Sequence, residues 1–520
     1  MGRARFDPIA IVGQGCVLPG CFTPGSLWRA VAAQRSLLTR VPKDRWGLTP
    51  SETARQPFCM GGFVTGFERR FDPRRYDLGD LEITRLDPVC RWLLQAGQDA
   101  WHGVAVADLA PERIGVIAGN LSYPSRSLSD FSGDIWLEGR SDTAPVNRFN
   151  SGFPAMALAE ALGARGPRFC LDAACASSLY ALKLACDELQ TGRADCMVAG
   201  AVSATDNLIL HQGFNVLNAL SPSGRSRPLV DGADGLVPAE GAAAVVLKRL
   251  SDVQPGERVH GVIRGIGLSN DGRRRGFLAP DGDGQTEAMR RAYAMANLDP
   301  GRDIDLLECH ATGTPVGDGV ELKSAGRLFG DGRDGLLPVG SLKSNSGHLI
   351  TVAGMASLIK LTQAMADGQL PPTLMDGPPH PAFKGTSLIA QTDLAPWRTP
   401  LGRPRRAGLS TFGFGGNNAH LIVEEMGHGR GEHVPAPRDL AQAAPDIAIC
   451  AVAALAGPDR GLTAIVRRLM RGRAAPAGPA DTVFYDPKAL RTPPADLERC
   501  ESQQLAVLDL AEQALEGLDL

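Results

Sequence analysis

The sequence lacks the features that mark secreted, membrane-spanning and nucleic-acid-binding chains. Its eleven cysteines include no Cys-x-x-Cys pair, so we expect neither a disulfide framework nor a zinc site. No apolar run approaches the roughly 20 residues that span a bilayer, and the first residues do not form a secretory signal. The formal net charge is only −3, which gives no reason to expect a nucleic-acid partner. These absences predict a cytoplasmic protein.

What is present is the composition of a globular enzyme. The chain has 520 residues, of which 43% are hydrophobic and 21% charged, more than one ordinary domain needs. Short apolar runs alternate with longer stretches of helical periodicity, predicted as helices over 176–190 and 286–296. An α/β layered architecture is therefore expected. The predicted strands are 9–13, 113–119, 168–173, 196–202, 242–248, 260–266, 304–310, 338–342, 387–391 and 420–424.

The end of the chain repeats its beginning. Residues 427–445 are polar and rich in Pro and Ala, as in a linker. After them, 446–457 (DIAICAVAALAG) echoes 8–20 (PIAIVGQGCVLPG), and 483–515 echoes 67–101 at modest identity. We interpret 446–520 as the truncated start of a second domain of the same type, in a piece of a longer multidomain protein.

The segment CLDAACASSL places Cys175 between an apolar strand and a helix. A sulfur at this position lies at the positive end of the helix dipole, which stabilises a thiolate and lowers the pKa of the thiol. Small neighbours leave room for a substrate. Taken alone, the same cysteine is also compatible with a buried structural role, because free cysteines are commonly buried.

Three further segments place polar groups in glycine-rich loops. ECHATGTPVGDGVE contains His310 at the end of a predicted strand, and GSLKSNSGH contains His348 just past another. STFGFGGNN, over 410–418, forms a glycine-rich turn between two strands. Each histidine alone is compatible with either a structural or a functional role, and the turn with a simple hairpin.

Together, in this order and spacing, the four segments resemble the β-ketoacyl synthases of fatty-acid and polyketide synthesis. The resemblance covers 6–425 and also includes 220–250 (LSPSGRSRPLVDGADGLVPAEGAAAVVLKRL). It implies a ketosynthase domain over 1–426 with the thiolase fold. Two βαβαβ halves, about 6–250 and 258–425, would form five α/β/α/β/α layers and dimerise through the edge of the first-half sheet.

The resemblance also implies the catalytic roles. Cys175 would receive an acyl chain from the phosphopantetheine arm of an acyl carrier protein, or from coenzyme A. His310 and His348 would donate hydrogen bonds to a malonyl thioester and stabilise the enolate formed as carbon dioxide leaves. Lys343 would position His348, with Glu321 as the charge partner of the lysine. No metal and no cofactor of its own are expected, since the substrate arrives on its carrier.

Other positions would bind the substrate. The backbone N–H groups of Cys175 and Phe414 would hold the oxyanion, and the Phe414 ring would gate the acyl pocket. Thr312 and Thr314 would hydrogen-bond the pantetheine arm. The chain departs from the common family pattern at Ala311, where many members have Gly, and at Asn417, where many have Thr. Neither departure removes a reacting group.

Several segments look most like the ketosynthases of polyunsaturated fatty acid synthases and their relatives, which act beside other synthase domains. In that subgroup, a chain-length-factor domain without the nucleophile often follows. Two alternatives stay open. A thiolase-type acyltransferase would need a second cysteine near GFGGNNAH, where the sequence has none. A non-catalytic chain-length-factor-like scaffold would have lost Cys175. A dinucleotide site at Gly13-x-Gly15 is rejected because Leu18 breaks the glycine fingerprint.

Overall fold

The computed structural model describes residues 6–43, 45–56, 58–121, 123, 125–140, 144–204, 208–272, 279–330, 332–427, 447–472, 500–516 and 518. The chain forms two compact units, Met1–Leu440 and Ala441–Leu520. Apart from Gly427, the predicted linker lies outside the described residues, as does much of the segment that echoes 67–101. The second domain of the same type therefore stays a prediction.

The larger unit consists of two halves that follow one another along the chain. The described strands of the first half are β1 Ile9–Val17, β2 Thr39–Arg40, β3 Met60–Gly61, β4 Ile114–Asn120, β5 Arg168–Leu171, β6 Cys196–Ser203 and β7 Gly241–Arg249. Its described α-helices are α1 Pro24–Ala32, α2 Pro50–Arg55, α3 Pro88–Trp101, α4 Arg126–Glu138, α5 Phe153–Ala161, α6 Ser177–Gln190 and α7 Leu208–Val216.

The second half repeats the alternation. Its described strands are β8 Gly261–Asn270, β9 Leu306–Glu308, β10 Leu337–Gly340, β11 Gln369–Leu370, β12 Leu388–Ala390, β13 Ala395–Pro396, β14 Arg406–Gly413 and β15 Asn417–Glu424. Its described α-helices are α8 Gly282–Ala296, α9 Pro315–Gly330, α10 Lys343–Ser346 and α11 Ala353–Asp367.

Both halves build their part of the sheet in the same order. The large sheet runs β12-β10-β9-β14-β15-β8-β1-β7-β6-β4-β5. We count only the strands of this sheet and leave out the edge strand β12. Read from its outer edge towards the middle of the sheet, each half then places its third, second, fourth, fifth and first strands in that order. The parallel and antiparallel pairings also correspond. A short pairing of Ile9–Ile11 on β1 with β8 joins the halves. The predicted duplication is confirmed.

The helices form layers on both sides of this sheet. Helix α3 packs on the outer face of the first half, α8 packs on the outer face of the second, and α6 and α11 pack against each other between them. The main apolar cluster lies around α6 and α11, and two further clusters lie beneath the outer helices. This arrangement confirms the expected five α/β/α/β/α layers.

The central helix α11 was not predicted from the sequence. Twelve of its fifteen residues are buried, including the polar Ser357, Lys360 and Thr362, so it lacks the one-sided periodicity by which a surface helix is recognised. Helix α8 begins four residues before the predicted start because the Asp281 carboxylate caps its first turn, accepting from the N–H groups of Asp283 and Gly284.

Strand β5 is shorter than predicted. It ends at Leu171 rather than 173 and lies at the edge of the sheet, where the Phe169 side chain is exposed.

The Gly13-x-Gly15 pair rejected as a dinucleotide fingerprint has a packing role. A Cβ atom on Gly15 would lie 2.2 Å from the Ala96 carbonyl oxygen of α3, so glycine lets that helix approach β1. Strand β8 has the same close contact with its helix, since a Cβ atom on Gly267 would lie 2.0 Å from the Ala288 carbonyl oxygen of α8. The two halves therefore bring their outer helices onto the sheet by the same means.

A single turn of 3₁₀ helix leads into each central helix, and each turn begins with a left-handed residue. These residues are Ala174 before α6 (φ 52°) and Ile350 before α11 (φ 50°). Such a conformation costs a non-glycine residue about 1–3 kcal/mol. The residues that follow are Cys175 and Thr351. The Thr351 hydroxyl donates to the Val202 carbonyl over 2.6 Å.

In the smaller unit, the described elements are the hairpin strands β16 Leu455–Ala456 and β17 Asp459–Arg460 and the helices α12 Leu462–Met470 and α13 Ser502–Leu515. Arg468 pairs with Asp459, and Arg460 pairs with Asp509. Across the described residues of both units, no helix has the length and apolar character needed to cross a membrane.

Candidate active site

Cys175 lies in the 3₁₀ turn between β5 and α6, at the wall of a cavity of about 470 Å³. The turn is fixed by local hydrogen bonds: the Ser177 hydroxyl donates to the Ala174 carbonyl and accepts from the Ala173 N–H. The cysteine is 6% exposed, and its Sγ lies 3.0 Å from Nε2 of His348. A sulfur and an imidazole at this distance can exchange a proton.

The predicted lowering of the Cys175 pKa is wrong for the free protein. Burial raises the pKa of Cys175 to about 11, because a thiolate is poorly solvated in a closed site. The charge of Lys343 and the backbone N–H groups of Phe414 and Cys175 act in the opposite direction without overcoming it. The residue is therefore a thiol at neutral pH, with His348 placed to accept its proton.

Both predicted histidines reach this cavity. The rings of His310 and His348 are 5.4 Å apart between centroids and nearly perpendicular. Burial and the charge of Lys343 hold the pKa of both well below the usual range, and His348 adds to the effect on His310. Both imidazoles are therefore neutral near pH 7, as a hydrogen-bond donor to a thioester oxygen should be.

Two different parts of the chain position these rings. His310 follows β9, and its N–H donates to Glu321 over 2.7 Å. His348 follows α10 and is held by the first half, since its N–H donates to the Val237 carbonyl and its own carbonyl accepts from Ala239. Each ring therefore depends on a separate set of backbone contacts.

Lys343 and Glu321 are both buried here and interact through their charges, as expected, while their direct hydrogen bonds go to the His310 segment. The Lys343 ammonium donates to the His310 carbonyl. The two Glu321 oxygens accept from the His310 and Ala311 N–H groups, each over 2.7 Å. Burial lowers the pKa of Lys343, and Glu321 raises it through its charge. The two residues thus share the His310 segment as a common partner and influence each other electrostatically.

Thr312 and Thr314 line the same cavity, with their hydroxyl oxygens 3.1 Å apart. Their loop is held by Asp318, which the sequence reasoning did not single out although it lies within the quoted motif. Its carboxylate accepts from the N–H groups of Thr312, Gly313 and Leu229 over 2.8–3.1 Å. Burial raises the pKa of Asp318 to about 6.

Phe414 lies at the cavity with its side chain partly exposed, and its ring centroid is 6.0 Å from that of Phe214 on α7. The second phenylalanine was missed, because the α7 sequence carries no polar motif. Leu217 and Leu236 extend this apolar end of the cavity. The cavity wall thus combines Cys175 with a polar loop and an apolar surface, the two kinds of contact that an acyl thioester requires.

The same three reacting groups also form a soft donor set. The Cys175 sulfur and one ring nitrogen from each of His310 and His348 lie within 4.8 Å of one another, and zinc accepts such ligands. The charge of Lys343, which depresses the pKa of both imidazoles, also opposes a cation here. The nearby positive charge of Lys343 therefore favours proton transfer and hydrogen bonding over metal binding.

Sequence comparison assigns the family. Residues 6–253 match the family described as beta-ketoacyl synthase, N-terminal domain, and residues 260–375 match beta-ketoacyl synthase, C-terminal domain. The chain belongs to the β-ketoacyl synthase family. The first matched region contains strands β1 to β7, the second contains β8 to β11 of the second half, and together they contain Cys175, His310 and His348.

Similar proteins are large synthases. Over 437 residues the chain is 36% identical to a phenolphthiocerol/phthiocerol polyketide synthase of Mycobacterium tuberculosis, a match that covers 81% of this chain and 23% of the relative. A PKS-NRPS hybrid synthetase of Aspergillus niger is 37% identical, with the same coverage. The chain thus spans less than a quarter of these relatives.

Solved structures of ketosynthases superpose on the chain. The structure titled PfaC keto synthase-chain length factor matches with a TM-score of 0.81 at 32% identity, covering 90% of this chain and 52% of that one. The ketosynthase from module 6 of the bacillaene synthase of Bacillus subtilis 168 matches with a TM-score of 0.71 at 31% identity, covering 81% and 72%. The β-ketoacyl synthase fold is therefore shared.

The raised pKa of Cys175 predicts how the free β-ketoacyl synthase reacts with iodoacetamide. With a pKa of about 11, the thiolate fraction and the alkylation rate should rise about tenfold per pH unit between roughly pH 7 and 10. Lys343→Met removes a cation that lowers this pKa, so alkylation at about pH 8.5 should slow several-fold. Peptide mass spectrometry of Cys175 measures both, and a rate that levels off below about pH 8 would contradict the assignment.

Proposed function

We propose that this chain catalyses decarboxylative condensation of a malonyl thioester with an acyl group held on Cys175. The observation that carries the proposal is the meeting of one thiol and two neutral imidazoles, within 4.8 Å, on one cavity. The activity is that of a 3-oxoacyl-carrier-protein synthase, a condensing acyltransferase. Its substrates arrive on the phosphopantetheine arm of an acyl carrier protein, so the domain needs no cofactor of its own.

In the first half-reaction, His348 accepts the Cys175 proton through Nε2, and the thiolate attacks the thioester carbonyl of the incoming acyl group. The tetrahedral oxyanion is stabilised by the N–H groups of Cys175 and Phe414, the same two groups that lower the pKa of the sulfur. Collapse expels the pantetheine thiolate, which takes the proton back from His348. The acyl chain then lies at the apolar end of the cavity beside Phe214.

In the second half-reaction, the malonyl thioester oxygen accepts hydrogen bonds from His310 and His348. As the bond to the carboxylate breaks, its electron pair forms an enolate, and carbon dioxide leaves. The enolate carbon attacks the acyl carbonyl on Cys175, and the Cys175 thiolate leaves as the β-ketoacyl product forms. Neutral imidazoles suit this step, since they donate hydrogen bonds without supplying a proton that would quench the enolate.

The competing functions fit less well. A thiolase-type acyltransferase moves protons with a second cysteine, and Cys175 is the only cysteine among the described residues that line the cavity. A chain-length-factor-like scaffold would not need the thiol, and this chain retains it together with both histidines.

We place the domain in a polyketide or polyunsaturated fatty acid synthase, working beside other synthase domains and an acyl carrier protein. The match of 90% of the chain to the PfaC structure supports assigning 446–520 to a second ketosynthase-like domain, such as a chain-length factor. An exposed edge strand β5, with Phe169 on it, supports a homodimer through that edge. Cysteines of the larger unit that are free thiols support a reducing, cytoplasmic location.

The test is the intact-protein mass after incubation with an acyl carrier-protein thioester or acyl-CoA. We expect a gain of one acyl group, which malonyl carrier protein then discharges as a β-ketoacyl product. Cys450→Ser provides the control, because Cys450 is exposed and could acylate without catalysis; this variant should keep the full mass gain. A folded sample that never acquires the acyl group would contradict the proposal and favour the scaffold.

A further inference from the structure

A buried ion pair lies directly behind the active site. Glu308 ends strand β9, two residues before His310, and Lys360 lies on the central helix α11. Both side chains are 0% exposed, and Lys360 Nζ lies 2.5 Å from a Glu308 oxygen. Taking two charges out of water is costly unless the remaining hydrogen-bonding capacity is used, so the other contacts of the carboxylate matter.

Those contacts join three separate elements. The second Glu308 oxygen accepts from the Leu342 N–H over 2.7 Å and from the Ser357 hydroxyl over 3.0 Å. Leu342 immediately precedes Lys343, and Ser357 is on α11 together with Lys360. One carboxylate therefore fixes the end of β9, the start of α10 and the central helix relative to one another.

Only part of the catalytic group lies next to the residues fixed in this way: His310 is two residues from Glu308 and Lys343 is one residue from Leu342, whereas His348 is six residues past Leu342. Strand β9 continues to His310, and Leu342 continues to Lys343, whose ammonium donates to the His310 carbonyl. His348 has its own support from Val237 and Ala239. Loss of the Glu308 contacts should thus displace His310 and Lys343 while leaving His348 beside Cys175.

We propose that Glu308, held by Lys360, is a positioning residue that sets the placement of His310 and Lys343 and so controls the decarboxylation half-reaction more than the acylation of Cys175. This inference rests on the proposed function. Decarboxylation depends on two donors aimed at one thioester oxygen, and a displacement of about 1 Å in such a group can cost about 10²-fold in rate. Acylation uses the pair of Cys175 and His348, which Glu308 does not touch.

Paired substitutions separate this role from stability. Removing one member of a buried ion pair leaves an uncompensated charge, whereas replacing both members with apolar residues is often neutral for stability. Glu308→Leu with Lys360→Met removes the charges and also the acceptor for Leu342. Glu308→Gln with Lys360→Met removes the charges but keeps an oxygen that can accept from Leu342. The two double variants thus differ in the acceptor at the centre of the proposal.

The experiment measures acylation by intact mass and decarboxylation by carbon dioxide release from malonyl carrier protein. With Glu308→Leu/Lys360→Met, decarboxylation should fall about 10- to 100-fold, with acylation within about threefold of wild type. With Glu308→Gln/Lys360→Met, both rates should stay within about fivefold of wild type. Should the first variant fail to fold, Ser357→Ala removes only one donor to Glu308 and should lower decarboxylation about threefold, with acylation unchanged.

The molecule supplies a matched control in a second buried ion pair. Lys248 and Glu257 are 2.8 Å apart with side chains 3% exposed, and neither lines the cavity. Lys248→Met/Glu257→Leu should leave both half-reactions at the wild-type ratio. Equal losses of both rates in Glu308→Leu/Lys360→Met, or no loss of either, would overturn the positioning role. A wild-type protein that neither acylates nor decarboxylates would instead overturn the proposed function.

Discussion

Cys175→Ala is expected to lower condensation by at least about 10⁴-fold, because the acyl group then has no covalent attachment site. The same variant should still release carbon dioxide from malonyl carrier protein. His310, His348 and Lys343 keep their own supports when the sulfur is removed, since these are backbone and side-chain contacts that do not involve Cys175. The enolate formed would then be protonated by solvent instead of attacking an acyl group.

Two assays on one preparation test this result: β-ketoacyl product by mass spectrometry and carbon dioxide release from the malonyl substrate. Cys59→Ser, which changes a cysteine that does not line the cavity, should leave both at wild-type values. Condensation that survived in Cys175→Ala above about 1% of wild type would mean that another residue carries the acyl chain. Loss of both reactions in a folded variant would mean that the sulfur also organises the malonyl site.

His310→Ala should slow decarboxylation far more than acylation. Removing one of two donors to the thioester oxygen is expected to slow decarboxylation about 10²- to 10³-fold, the usual cost of losing one oxyanion donor. Acylation should change little, because the nitrogen 3.0 Å from the Cys175 sulfur belongs to His348. His348→Ala, by contrast, should slow both half-reactions, since that ring serves the thiol in the first and the thioester in the second.

Single-turnover acylation and steady-state carbon dioxide release distinguish the two histidine variants. His380→Ala serves as a comparison, because this histidine caps a 3₁₀ turn outside the catalytic group, with its Nδ1 accepting from the Ala382 N–H. It should reduce neither rate by more than a few-fold. If His310→Ala and His348→Ala lost acylation equally, the division of labour between the two rings would be wrong.

The residues that could be predicted from the sequence are those whose neighbours are local. Cys175, His310 and His348 each follow an apolar run and enter a loop of small residues, a pattern visible without tertiary contacts, and all three meet at the cavity. The layered α/β architecture could be predicted for the same reason, since buried strands are continuous apolar runs; the division into two halves was implied only by the family resemblance. Helix α11 could not be, because burial on all sides removes the periodicity by which helices are detected.

The sequence could not predict the effects that depend on contacts between residues far apart in the chain. The helix dipole at Cys175 is local and predicts a lower pKa, but burial by residues distant in sequence outweighs it. The partners of Lys343 and Glu321 likewise depend on where the His310 backbone comes to lie. Glu308 lies within the quoted motif, yet its contact with Lys360, on a helix that was not predicted, is visible only in three dimensions.

The two left-handed turns bear on how reactive residues are identified from backbone geometry. Ala174 and Ile350 share a positive φ near 50° and the same place relative to a central helix, and a β-branched residue is the more unusual of the two there. Only the first precedes a thiol that faces a cavity, while the Thr351 hydroxyl is already bonded to a backbone carbonyl. An uncommon φ angle thus reports the folding pattern common to both halves, and access to open space is what distinguishes the reactive copy from the inert one.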